Sequence, residues 1–241
     1  MTSFDAVAAE YEAGRPSYPE ALFDALEPLA GTLILEGGAG TGIATRPLLR
    51  RGALVFPFDV GSRVLGVAMR RTPGLAAVLA DGVALPFRDC CADMICFAQS
   101  WHWLDEDKRC EEAARVLRPG GRWAGWWSHA RADREKWFES SWDAIESATV
   151  ARRNQRDTDW GDGLRQSGFF DVGERVVFPW VRQVTVGEWL IDERSKSYVA
   201  VLSESDRAAL LETVERLVLD RFPNGRMQVP YETWLWIANR I

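Results

Sequence analysis

Glu36-Gly37-Gly38-Ala39-Gly40-Thr41-Gly42 ends the apolar run that starts at Thr32 and leads into an amphipathic stretch from Ile43 to Arg51. A strand that closes in a glycine-rich bend before a helix marks the edge where open α/β sheets bind ligands. The bend is no dinucleotide fingerprint, because the third glycine of Gly-x-Gly-x-x-Gly would fall at position 43, which is Ile. No Gly-Lys-Ser/Thr is present, which excludes a triphosphate loop. What remains is backbone that a ligand can approach closely, fronted by a carboxylate that attracts a cation and repels a pyrophosphate.

Outward from the bend, short apolar runs alternate with amphipathic stretches. Runs at Ala53 to Asp59, Leu75 to Asp81, Asp93 to Gln99 and Arg122 to Ser128 are separated by helical patterns at Arg63 to Arg71 and Asp105 to Leu117, the second ended by Pro119-Gly120-Gly121. This is the signature of a doubly wound, mostly parallel α/β sheet, and strands so continuously apolar are covered on both faces. Past Ser128 the alternation lapses into a Trp-bearing helical stretch, Arg131 to Ala148, and a charged link, Arg152 to Gly163. A strand-like run from Glu174 to Val186, two helical patterns and an extended end from Arg226 to Ile237 follow, and these two strands predict a closing antiparallel pair. The expected organisation is one domain: a helical arm over 1–31, a cofactor core over 32–128, a cap over 129–170, and completion of the sheet over 171–241.

The balance of 47% apolar, 27% charged and 11% aromatic residues over 241 positions suits a packed globular protein. A net charge of −6 argues against nucleic-acid partners, because the counterion-release term is missing. No apolar run approaches the ~20 residues of a membrane helix, and the first residues lack the basic-then-apolar pattern of a secretory signal, so the expectation is a cytoplasmic protein without membrane contact. Its oligomeric state, monomer or homodimer, stays open. Cys90, Cys91, Cys96 and Cys110 fit no zinc spacing and are read as reduced core thiols.

The bend suits a nucleoside carrying a positively charged amino-acid tail, and the chain here resembles the class I S-adenosylmethionine-dependent methyltransferases. Their first motif, acidic-x-Gly-x-Gly-Thr/Ser-Gly, agrees from Glu36 through Gly42, with Gly38, Ala39, Gly40 and Thr41 as expected cofactor contacts. The resemblance implies that Asp59 takes the ribose hydroxyls, with Val60 beside it. It implies that Asp81, followed by Gly82, Val83 and the turn Leu85-Pro86-Phe87, takes the adenine. Gln99 and Ser100, past the fourth strand, complete the implied contacts. Phe4-Asp5-x-x-Ala8-x-x-Tyr11 and Arg15-Pro16-x-Tyr18-Pro19 resemble a subfamily of small-molecule enzymes of the trans-aconitate type. There Tyr11, Arg15 and Tyr18 would cover the methionine end, with Arg15 on its carboxylate. The implied fold is a seven-stranded Rossmann-like sheet in the order 3-2-1-4-5-7-6, strand 7 antiparallel, with a helical cap. Pro57, inside the second strand, departs from the pattern and is expected to bulge it and displace Asp59; Gly61 stands where many relatives carry Ser.

The implied activity is methyl transfer to a small-molecule acceptor, by preference an oxygen, carboxylate or hydroxyl; transfer to nitrogen and a catalytically silent cofactor-binding protein are the rivals. His102, in Gln99-Ser100-Trp101-His102-Trp103, falls just past the fourth strand, where an imidazole takes a proton from a hydroxyl, holds a carboxylate, or merely packs. His129 is a weaker candidate after the fifth strand. Of twelve tryptophans, Trp101, Trp103, Trp126 and Trp127 sit at strand ends, where they either wall the acceptor pocket or fill the core.

Overall fold

The computed structural model describes residues 14–241. Its parallel strands are β1 (Leu33–Gly37), β2 (Leu54–Asp59), β3 (Val78–Leu79), β4 (Ala92–Ala98) and β5 (Leu117–Ala130). Helices α1 (Glu20–Asp24), α2 (Thr45–Arg50), α3 (Ser62–Arg71) and α4 (Arg109–Val116) alternate with them. Beyond these come α5 (Lys136–Ala148), α6 (Gly161–Ser167), β6 (Phe170–Val172), β7 (Val176–Thr185), α7 (Val186–Ser195), α8 (Ser197–Ala200), α9 (Glu204–Arg221) and β8 (Arg226–Arg240). The sheet runs β3-β2-β1-β4-β5-β8-β6, with β7 paired to β8 off that path. The order is the expected one with one strand more, β8 holding the place foreseen for the seventh strand, antiparallel to β6.

The chain divides into two compact units. The larger, residues 17–128, 159–178 and 233–241, carries apolar side chains on both faces of its strands. Leu35, Ile95, Phe97, Trp123 and Trp236 fill one face; Ile34, Val55, Met94, Ala124 and Leu235 fill the other, under Leu22, Phe23, Leu26 and Leu29. Alternation along β1 and β4 produces this division directly. The segment around α1 packs on that sheet face. The smaller unit, residues 14–16, 129–158 and 179–232 among those described, has its own core of Trp137, Phe138, Trp142, Trp189, Val214 and Val218. The cap foreseen over 129–170 is thus divided, because Trp160, Leu164 and Phe170 join the sheet unit's core while Trp137 and its neighbours join the other.

Pro57 neither bulges β2 nor moves Asp59. The ladder between β1 and β2 is continuous from Leu33↔Leu54 to Gly37↔Phe58. Leu54 N donates to Thr32 O and Phe58 O accepts from Ala39 N, so even-numbered residues of β2 face β1 and Pro57 faces the other side. There β3 reaches only Phe58 and Asp59, and no ladder bond is lost. The Pro-Gly-Gly sequence, expected to precede the fifth strand, lies within β5 as a bulge between Ala92↔Leu117 and Met94↔Arg122. Cys96 and Cys110 are buried, whereas Cys90 is exposed in a turn at φ 53°, which corrects its assignment to the core. Among the described residues no helix is long and apolar enough to cross a membrane.

Gly37 is a tight point of the sheet: a Cβ there would lie 2.2 Å from the Phe97 ring and 2.7 Å from that of Phe58. Gly37→Ala is expected to lower stability by about 1–3 kcal/mol through overpacking, read from the urea midpoint. Pro57→Val is expected to change it by less than about 1 kcal/mol, since no sheet bond is gained or lost.

Candidate functional site

The bend after β1 is shaped by backbone that few residues other than glycine adopt: φ is 62° at Gly38, 56° at Gly40 and 80° at Gly42. Gly38 passes so close to the β4 connection that a Cβ would lie 2.4 Å from Ser100 Cβ. The Ser100 hydroxyl donates to Gly37 O at 2.6 Å. Gln99, at φ 57°, donates its N–H to Trp126 O at 2.9 Å and its side-chain amide to the Tyr18 hydroxyl at 3.4 Å. A non-glycine residue held in this region stores strain that its surroundings must over-determine.

Glu36 has no exposed surface. Oε2 accepts from the Thr45 hydroxyl at 2.6 Å, while Oε1 is buried with no hydrogen-bond partner among the described residues. Burial outweighs that hydrogen bond and the nearby Arg46, and raises the carboxyl pKa to about 7. Asp59, at the end of β2, accepts from Gly40 N at 2.9 Å and Gly61 N at 2.7 Å, one oxygen each. It locks the bend to the next strand, and a carboxylate has two acceptor oxygens, the number of donors in a vicinal diol.

Asp81 closes the same edge beyond β3, where Ala80 N donates to Asp59 O at 3.1 Å. Its side chain is exposed and accepts from Val83 N at 3.1 Å. A Cβ on Gly82 would meet Leu104 at 2.7 Å. Val60 is 55% exposed. The turn after Asp81 is braced by groups not singled out in the sequence: Glu112 accepts from Leu85 N at 2.6 Å, and Arg115 donates to Leu85 O and Phe87 O at 3.1 and 2.8 Å. Asp93 has a comparable structural part, accepting from Leu33 N and Arg118 and tying the starts of β1, β4 and β5.

His102 lies in the 3-10 turn Trp101–Trp103. Its Nδ1 accepts from Trp127 Nε1 at 3.2 Å, and burial, with help from the Arg109 charge, lowers its pKa to about 4. Trp160 stacks on Trp127 at 4.9 Å and faces His102 at 5.5 Å; it was not foreseen, since only the fold brings residue 160 beside residue 127. Trp101 is wholly buried against Phe97, Trp123 and Arg109. Trp126 is wholly buried against Tyr18 and Phe23. Both are core rather than pocket wall, because they point from their elements into opposite sheet faces. Trp103 is 56% exposed and Trp127 meets His102.

Arg15 and His129 belong to the smaller unit. Arg15 Nε lies 3.3 Å from Asp192, which also holds Arg182 at 2.7 Å. Arg182 donates in turn to Tyr231 and to Gly14 O. His129 lies within β5 rather than after it, and burial lowers its pKa to about 3. Tyr11 lies outside the described residues, as do Phe4, Asp5 and Ala8.

Residues 35–124 match the family model described as a methyltransferase domain. An uncharacterized methyltransferase of Mycobacterium tuberculosis is 40% identical over 135 residues, 56% of this chain and 55% of that protein, so the chain spans about half the length of this curated relative. An uncharacterized methyltransferase-like protein of Schizosaccharomyces pombe is 28% identical over 218 residues, 86% of this chain and 82% of that one. A solved structure described as a candidate type II methyltransferase, from Anaeromyxobacter dehalogenans, superposes with a TM-score of 0.71 at 20% identity, covering 94% of this chain and 97% of that one. At that identity the likeness concerns the fold.

Glu36 gives the ligand-free chain a distinctive pH response. Its carboxyl is protonated in the folded chain up to about pH 7 but ionises from its ordinary value of 4.5 when unfolded, so the unfolded state binds fewer protons between those values. Stability is therefore expected to fall as pH rises from 4.5 to 7, by up to about 3 kcal/mol from this group. Chemical denaturation across that range checks it: Glu36→Gln is expected to remove this component of the slope, and an unchanged slope would contradict the assignment.

Proposed function

We propose that the chain, whose residues 35–124 match a methyltransferase-domain model, is a class I S-adenosylmethionine-dependent methyltransferase that transfers a methyl group from S-adenosylmethionine to an oxygen of a small-molecule acceptor. The observation that carries this reading is the buried, unpartnered Glu36 oxygen beneath a bend of left-handed glycines, with Asp59 bound to that same bend. A fully buried carboxylate lacking a second partner is a cost that a cationic ligand offsets.

In this reading Gly38, Ala39, Gly40 and Thr41 would line the amino-acid arm, with Glu36 as its counter-charge. Asp59 would receive the ribose hydroxyls, beside Val60. Asp81, Gly82 and Val83 would meet the adenine, and Gln99 and Ser100 would close the other side of the bend. Bound there, S-adenosylmethionine supplies a methyl already activated by a sulfonium, so the protein's share is alignment and the exclusion of water. His102, two residues beyond Ser100, would hold the acceptor. Tyr11, Tyr18 and Arg15 remain assigned to the methionine end on the family pattern alone.

Equilibrium titration is the test. One S-adenosylmethionine is expected per chain, with affinity rising about tenfold from pH 6 to pH 8 as Glu36 gives up its proton; Glu36→Gln is expected to abolish that rise. Asp59→Ala is expected to weaken binding about ten- to a hundredfold, the worth of one or two hydrogen bonds to a charged group. Nicotinamide dinucleotides are expected not to compete. Absence of S-adenosylmethionine binding would overturn the reading, and binding without turnover over a broad acceptor panel would favour a regulatory protein.

A further inference from the structure

His102 is enclosed by indoles: ring centroids of Trp103, Trp160 and Trp127 lie 4.7, 5.5 and 6.4 Å from its own. Trp127 is itself fixed, stacked on Trp160 with 15° between the planes and set edge-on to Trp236 at 5.6 Å. An indole N–H can only donate, so the 3.2 Å contact with His102 Nδ1 requires the lone pair of the imidazole at Nδ1. In the neutral ring the proton then sits on Nε2, which has no hydrogen-bond partner among the described residues. A general base needs its lone pair where the proton arrives. Moving the proton to Nδ1 would set two N–H groups against each other and leave both unsatisfied.

We propose that Trp127 is a positioning residue that holds His102 as a fixed Nε2–H donor, and that this donor grips an acceptor oxygen that is already ionised at neutral pH, as in an oxygen acid. The inference rests on the methyl-transfer reading and names its substrate class. An ionised oxygen gives a lone pair to the methyl carbon while the carbon–sulfur bond leaves its pair on sulfur. Oxyanion and sulfonium charges vanish together, and no proton has to be removed. An alcohol would require the base that Trp127 prevents His102 from being. The exposed face of Trp103 offers such an acid an apolar surface beside the donor.

Arg109 is the charged group that acts on His102; the other rings packed on it, Trp103, Trp127 and Trp160, do not titrate. With burial, it keeps the imidazole neutral above about pH 4, so the donor persists throughout the working range.

The test is 15N NMR of the histidine-labelled full chain, with His102→Gln identifying which of the two histidines is observed. Expected for His102 are a protonated Nε2 and an unprotonated Nδ1 from pH 6 to 8, with Trp127→Phe giving mixed tautomers and a titration moved to higher pH. A proton on Nδ1 in the native chain, or titration near pH 6.5, would overturn the lock. In turnover with S-adenosylmethionine, benzoic and phenylacetic acids are expected to accept the methyl and benzyl alcohol is not. At saturating S-adenosylmethionine the native kcat is expected to be flat from pH 6 to 8. His102→Gln, which retains an N–H donor, is expected to stay within about tenfold of native kcat; His102→Ala is expected to lose about a hundredfold at unchanged cofactor affinity. Methylation of the alcohol but of neither acid would overturn the acceptor class. Failure to bind the cofactor would overturn the underlying methyl-transfer reading, and the NMR result would still decide the tautomer.

Discussion

Between β2 and β4 the end of β1 leaves no space for a side chain: Gly37 fits between the rings of Phe58 and Phe97, and Gly38 against Ser100. This close approach fixes the rest of the candidate site. Because the backbone passes within reach of Ser100, the hydroxyl can seal it through Gly37 O. Because it then turns through left-handed conformations, Gly40 N faces Asp59, which couples the bend to β2 and Gly61. The carboxyl edges of three neighbouring strands are joined by two side chains, Ser100 and Asp59, each bonded to main-chain groups of the bend. Substitutions at other side chains can therefore vary the pocket while the bend keeps its form.

Desolvation governs both titratable groups central to the account, in opposite directions. It raises Glu36 to about 7 and lowers His102 to about 4, so each favours its neutral form in the ligand-free chain. The consequences differ. Glu36 has an oxygen without a hydrogen-bond partner among the described residues, and a bound cation would favour its ionised form. His102 has its Nδ1 occupied by Trp127 and keeps its neutral form throughout. One group is poised to change charge on binding, whereas the other is a dipole of fixed direction, the kind of preorganised donor that stabilises charge without reorganising.

Much of this was legible in the sequence because it depends on local signals. Alternation of apolar and amphipathic runs disclosed the parallel strands, and the glycines between β1 and α2 marked the ligand edge. Asp59 and Asp81 were legible because each ends a short apolar run. Pro57 was misread because the side of β2 it faces depends on how far β3 extends, which no local pattern reports. The four strand-end tryptophans could not be separated by sequence, since core or surface is decided by which way each element turns: Trp101 and Trp126 go inward, Trp103 outward, and Trp127 to His102. Trp160, Glu112 and Arg115 act on the site through contacts between 3 and 58 positions apart in the chain, counting Glu112 to Arg115 and His102 to Trp160. Only the fold could bring the distant ones together.

The most direct test of the central claim is a crystal structure of the chain with S-adenosylhomocysteine bound. The account predicts density running along residues 36–42, with both ribose hydroxyls on Asp59 and the adenine edge at Asp81 to Val83. Density elsewhere on the molecule, with this bend empty, would contradict it.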